Sequence, residues 1–124
     1  MPNKKKITHD EKIISALMKI KTPIIDPIRN IKIFFKERSR SNETGIEHVA
    51  KAYHNLDASD IELLEKGIKN PVYHSRDKRY GRTYCYYYRR KKDRKNYIKV
   101  VVKLEKRDPQ IGFISSMFIT TKLR

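Results

Sequence analysis

Apolar and polar residues alternate most regularly near the end of the chain. Ile98, Val100, Val102 and Leu104 fall on one side of an extended backbone, and Tyr97, Lys99, Val101 and Lys103 on the other. That period of two predicts a strand over 97–105. Before it, Arg82-Thr83-Tyr84-Cys85-Tyr86-Tyr87-Tyr88-Arg89-Arg90 is a strand-sized aromatic run bracketed by arginines. After it, Ile111–Thr121 is a third strand-like run, eleven residues long and rich in β-branched residues. The polar connections Lys91–Asn96 and Lys106–Gln110 are of hairpin length. The three runs predict an antiparallel three-stranded meander, extended by a further strand if residues 30–36 join it.

Upstream the period changes. Ile13, Ile14, Leu17 and Met18 recur at helical spacing behind the capping box Thr8-His9-Asp10-Glu11, which predicts a helix over 9–21 stopped by Thr22-Pro23. Asp26-Pro27 is a second breaker, and Ile31, Ile33 and Phe35 suit a strand or a short helix near 30–36. Residues 37–45 read as a polar loop. Ile46, Val49, Ala50 and Tyr53 share one face of a helix over 45–54. Ser59-Asp60-Ile61-Glu62 opens another, with Ile61, Leu64 and Ile68 inward, ended by Asn70-Pro71. Val72–Gly81 reads as turn and charge. The expected class is α+β: one compact domain whose N-terminal helices cover one face of a C-terminal antiparallel sheet. Cys85 and Tyr87 suit the helix-covered side. Arg82, Tyr84, Tyr86, Tyr88 and Arg90 are then expected on the open side.

Charge adds a partner to this picture. The 124 residues carry 30 Lys and Arg against 14 Asp and Glu, a net charge of +16. Residues 72–124 hold sixteen of the basic residues and four of the acidic ones. A field of that sign on a sheet attracts polyanions, of which nucleic acid is the commonest in a cytosol. Cys85 is the only cysteine, so no intrachain disulfide forms. No apolar run is long enough to span a membrane, and acidic residues interrupt the one after the basic N-terminus. A cytoplasmic protein without a membrane partner is expected.

The residue inventory narrows the chemistry. His48 and His54 lie six apart with no accompanying cysteine or carboxylate set, which does not fit a zinc pair. There is no glycine-rich phosphate or dinucleotide loop, no Gly-x-Ser-x-Gly and no paired carboxylates for two-metal chemistry, so no cofactor is expected. What remains is metal-independent attack on RNA, whose 2′-hydroxyl is an internal nucleophile. Such a site needs a base, an acid and cations for the phosphate, roles that His, Tyr or Thr, and Arg or Lys supply. A non-catalytic nucleic-acid-binding module with bases stacked on tyrosines is the alternative.

The order of segments supplies a resemblance. The histidine helix Gly45–His54 comes first, followed by the helix ending Ile68-Lys69-Asn70-Pro71. The aromatic strand Tyr84–Arg89, the apolar strand Ile98–Lys103 and a last strand ending Ile119-Thr120-Thr121 complete the pattern. Together these resemble the barnase/EndoU/colicin/RelE-like ribonuclease superfamily, in its phage-type branch. The resemblance covers 38–124; residues 1–37, a basic tail with a helix and a strand, have no counterpart in it. It implies an endoribonuclease that works without metal, often as a toxin or effector, with RNA as substrate and an acidic inhibitor or immunity protein as a further partner. By position it implies His48 as general base or acid, with His54 second. It implies Arg82 or Arg89 on the scissile phosphate, Tyr86 or Tyr88 as base stack or proton donor, and Thr120 as the terminal strand hydroxyl. Arg38, Lys99 and Ser116 complete the expected substrate contacts.

Overall fold

A computed structural model describes residues 9–35, 56–77 and 81–123. The elements run α1 (His9–Met18), β1 (Ile24–Asp26), β2 (Ile31–Phe35), α2 (Ala58–Glu62), α3 (Leu64–Lys69), β3 (Tyr73–Arg76), β4 (Thr83–Arg89), β5 (Tyr97–Leu104) and β6 (Ile111–Thr120). The expected helix over 45–54, with His48 and His54, lies outside the described residues, as do Thr8 and Arg38.

The class is α+β, but the sheet is larger than a three-stranded meander. Among the described residues it has six strands in the order β1-β2-β6-β5-β4-β3. All neighbouring pairs are antiparallel except β2 with β6, which run parallel through Lys32↔Ile111 to Phe35↔Ile114. Residues upstream of 38 therefore contribute two strands to the same sheet.

β3 corrects the reading of Val72–Gly81 as a turn. Its residues are mostly exposed, and its place is set by pairing with β4, from Tyr73↔Tyr87 to Arg76↔Tyr84. A polar edge strand has no apolar alternation to betray it.

The sheet curls. β1 and β4 are separated by three strands in the sheet order, yet the Tyr86 hydroxyl of β4 donates to the Asp26 carboxylate of β1. The curl encloses one core. Ile24, Ile31, Ile33, Tyr86, Tyr88, Ile98, Val100, Val102, Ile114 and Met117 line its sheet side. Ile13, Leu17, Ile61, Leu64 and Ile68 cover it from the helices. In β6, an irregularity in the pairing with Val101/Val102 carries Ser115 past the register, so Ile114 and Met117 both face inward although three residues apart.

Two helix expectations change. α1 ends at Met18, with Lys19 and Ile20 bonded back only three residues (3.3 and 3.1 Å), one turn before Thr22-Pro23. The helix expected over 59–69 is two short helices broken at Leu63 (φ −87°, ψ −3°), and its N-cap is Asp57 rather than Ser59. The Asp57 N–H donates to Asp60 Oδ2 at 2.9 Å, so Asp60 rather than Glu62 completes the cap.

The expected open face of β4 is overturned, while Cys85 and Tyr87 are buried as expected, at 3% and 0% exposure. Tyr86 and Tyr88 are core residues at 1% and 4% exposure, and Tyr84 packs partly against the same cluster. Arg90 turns toward α2. Thr83, Cys85, Tyr87 and Arg89 occupy the opposite face. Tyrosine at alternate positions satisfies a core as readily as a ligand surface when its hydroxyl finds a partner. Here Tyr86 reaches Asp26, and Tyr88 donates to the carbonyl of Asp60 at 2.6 Å.

Candidate nucleic-acid interface

The face of the sheet away from the core is built by parity and register. β4 contributes Tyr87 and Arg89, β5 contributes Tyr97, Lys99 and Lys103, and β6 contributes Ser116, Phe118 and Thr120. They meet through Arg89↔Tyr97, Tyr97↔Thr120, Tyr87↔Lys99, Lys99↔Phe118 and Val101↔Ser116.

Cations and rings interleave across this row. Lys99 Nζ stands 5.6 Å from the Tyr87 ring centroid and 5.5 Å from that of Phe118. The Arg89 guanidinium lies 5.0 Å from the Tyr97 ring. These distances fall within the range of cation–π attraction. Tyr73 of β3 continues the aromatic set against Tyr87, centroids 5.4 Å apart and tilted by 60°. Phe34 of β2 and Phe113 of β6 extend it at the other end, 6.2 Å apart.

Exposure grades across the row. Tyr87 is fully buried and its hydroxyl has no hydrogen-bond partner among the described residues. Phe118 is 43% exposed, and Arg89 and Lys103 are exposed. Phe118 offers a π-face next to the Lys99 charge.

The expected site residues divide. Lys99, Arg89, Ser116 and Thr120 share this face. The Thr120 hydroxyl is occupied locally, donating to the Lys122 carbonyl and accepting from the Lys122 N–H, both at 3.2 Å. One Arg89 nitrogen donates to the Arg94 carbonyl at 2.8 Å. Arg82 is exposed just before β4 in a left-handed conformation (φ 99°). Its carbonyl accepts from Leu104 at 2.8 Å, so it anchors the start of the β4–β5 pairing.

Tyr86 and Tyr88 do not reach the face. Burial pushes both hydroxyls above the ordinary tyrosine range, and the neighbouring Asp26 and Asp60 push the same way. Neither is placed to stack a base or to pass a proton to a ligand on the open side.

Sequence reasoning missed a second polar cluster. Asp26 Oδ1 accepts from the Ile28 and Arg29 N–H groups at 2.8 and 3.2 Å, shaping the turn into β2. Its other oxygen takes the Tyr86 hydroxyl. The Arg29 guanidinium stacks on Tyr84 at 3.9 Å, and its Nη2 donates to His74 Nδ1 at 2.9 Å. That bond leaves the His74 proton on Nε2, because an arginine can only donate. The cluster ties the turn after β1 to β3 and β4, and so clasps the two ends of the curl. No sequence spacing joins positions 26, 29, 74 and 86; only the curl does.

A third group fastens the helices. Arg90 forks onto Asp60 through Nε–Oδ1 and Nη2–Oδ2, both 3.0 Å, and Lys92 reaches Asp57 at 3.3 Å. The Asp60 bonds hold Arg90 more firmly protonated. This bidentate pair takes Arg90 out of any ligand role. Among the described residues no three metal-ligating side chains converge, and no helix is long and apolar enough to cross a membrane.

The chain matches no protein-family model, no curated protein and no solved structure.

Proposed function

We propose that the protein binds single-stranded RNA across the β4–β5–β6 face and cleaves it through the 2′-hydroxyl without a metal. The observation that carries the binding is the exposed Phe118 ring with Lys99 beside it, together with the Arg89 guanidinium over Tyr97. Stacking platforms and phosphate-neutralising cations at strand spacing are what a single strand requires, since each base brings a π-face and each phosphate a charge. The net charge of +16 supports the same reading.

Cleavage rests on the resemblance to metal-independent ribonucleases and on the two histidines of 45–54. With the Tyr86 and Tyr88 hydroxyls buried, the acid and base roles fall to His48 and His54, with Arg89 and Lys99 on the phosphate. In this reading the protein works in a cytosol as a toxin-like effector, and an acidic protein that mimics RNA is its natural inhibitor. A purified sample incubated with total RNA in EDTA tests it. Fragments with 2′,3′-cyclic phosphate ends, lost in His48→Ala or His54→Ala, are expected. Intact RNA after long incubation, with salt-sensitive binding retained, would leave a binding module and remove the nuclease.

A further inference from the structure

Charge is spread unevenly between the two ends of the sheet. Residues 89–96, the end of β4 and the turn into β5, hold six Lys or Arg and one Asp. Residues 103–110, at the opposite end of β5, hold three and two. Lys122 joins the first group, because β6 runs antiparallel to β5 and its last residue meets Tyr97 through Tyr97↔Thr120. We propose that this end of the sheet grips the phosphates of a base-paired RNA stem, an inference that rests on the RNA-binding reading above and makes the substrate a single strand joined to a stem.

The nearby carboxylates leave the exposed cations of the turn unpaired. Asp93 serves the turn itself: Oδ1 accepts the Lys95 N–H at 3.1 Å, and Oδ2 accepts the Asn96 side chain. Asp60 takes the fork of Arg90, and Asp57 takes Lys92. Lys91, Arg94, Lys95 and Lys122 are exposed and have no acidic partner among the described residues.

The turn is also pinned. Besides the Arg90 and Lys92 pairs to α2 and its cap, Arg89 donates to the Arg94 carbonyl at 2.8 Å, and the Arg90 N–H donates to the Asn96 carbonyl at 3.3 Å. Cations carried on a held backbone lose less freedom on binding than cations on a loose loop.

The chemistry of the turn sets its occupant apart from that of the sheet face. The face pairs cations with rings, which suits unpaired bases. Residues 89–96 contain no aromatic residue, so they offer an unpaired base nothing to stack on. In a stem the bases are already stacked on one another, and the outside presents phosphates that a protein holds by charge and shape. Cations without rings match that surface. The two surfaces are continuous: Arg89 lies over Tyr97 on the sheet face and is bonded to the backbone of the turn at Arg94. A strand that crosses the face therefore meets the turn as it leaves.

The test uses a 2′-O-methyl heptanucleotide, which lacks the cleavable hydroxyl, in three forms: alone, extended by a short ribonucleotide stem, and extended by an unpaired segment of the same charge. Anisotropy titrations over a salt series compare the wild type with Lys91→Ala/Lys95→Ala at the turn. Lys106→Ala/Arg107→Ala removes the same charge at the far end, and thermal melts confirm that both variants fold. In the wild type the stem is expected to tighten binding about tenfold and to do more than the unpaired segment. In the turn variant that gain disappears, the salt slope of the stemmed RNA falls by about 2, and the heptanucleotide alone binds as before. The far-end variant keeps the gain. An unpaired segment as effective as the stem, an equal loss in both variants, or a turn variant that weakens the bare heptanucleotide as much as the stemmed one would overturn the stem site. If the heptanucleotide alone fails to bind the wild type while the stemmed form binds it and not the turn variant, the single-strand face falls and the stem site stands; if neither form binds, both fall.

Discussion

Gly67 gives the most direct check on the packing that positions these surfaces. It lies in α3, fully packed against the ring of Tyr88. A Cβ at this position would stand 2.5 Å from Cγ and 2.9 Å from Cε1 of that ring, and closer still to Cδ1. Glycine to alanine in a helix interior ordinarily stabilises by about 1 kcal/mol. Here the ring cannot retreat, because its hydroxyl is bonded to Asp60 O at 2.6 Å and its neighbours are core residues. Overpacking of this kind costs roughly 1–3 kcal/mol, and separations this short belong at the upper end. The net expectation for Gly67→Ala is a loss of about 1–2 kcal/mol, read as a fall in Tm of roughly 4–10 °C at this chain length. The same substitution in a Tyr88→Leu background separates packing from propensity. With the ring gone the alanine becomes neutral or stabilising, so the two changes couple. A Gly67→Ala protein as stable as the wild type, or an equal cost in both backgrounds, would refute the close approach of α3 to β4.

Lys99→Ala and Phe118→Ala are expected to differ in kind. The first lowers the slope of log affinity against log salt by about 0.7, one phosphate contact on a single strand; the second weakens binding by about 1–3 kcal/mol and leaves the slope unchanged. Nitrocellulose or anisotropy titrations over a salt series check both. The buried hydroxyls make stability fall in alkali. Tyr86 and Tyr88 stay protonated in the fold beyond their ordinary value of 10.0, so the unfolded chain binds fewer protons at high pH. Their contribution is complete below pH 10 and is lost as pH rises above it, at up to about 1.4 kcal/mol per pH unit for each. Tyr86→Phe lowers that slope in urea melts at pH 10–11, and costs about 1–3 kcal/mol at neutral pH because it strands a buried Asp26 oxygen. Cys85 is 3% exposed, and burial raises its thiol above 9.0, so Ellman's reagent is expected to react with it only as the protein unfolds.

The strands with local signatures were legible. Tyr97–Leu104 alternates, and Thr83–Arg89 and Ile111–Thr120 are bounded by polar turns; all three stand in the structure within two residues of their expected ends. The helix-type spacing of Ile13, Leu17, Ile61, Leu64 and Ile68 likewise marked the residues that cover the core. β3 was not legible because an exposed edge strand carries no apolar pattern. The parallel pairing of β2 with β6 was not legible because it joins residues about eighty positions apart.

For the candidate interface, sequence placed Lys99 and Tyr97 on one side of their strand, and the register adds Phe118 and Arg89 to that side. What alternation alone does not decide is which side of a tyrosine strand faces the core. Tyr84, Tyr86 and Tyr88 share one parity, while Cys85 and Tyr87 share the other, and both sets are apolar enough to bury. Asp26 and the Asp60 carbonyl break that tie, by giving Tyr86 and Tyr88 buried hydrogen-bond partners, whereas the Tyr87 hydroxyl has none among the described residues. Those partners come from a strand and a helix distant in sequence, and they reach the tyrosines only when the sheet curls. The chain's period, its charge and its supply of rings and cations are properties of local sequence. The side on which the rings meet the cations follows from where buried hydroxyls find acceptors, and that is a property of the closed fold.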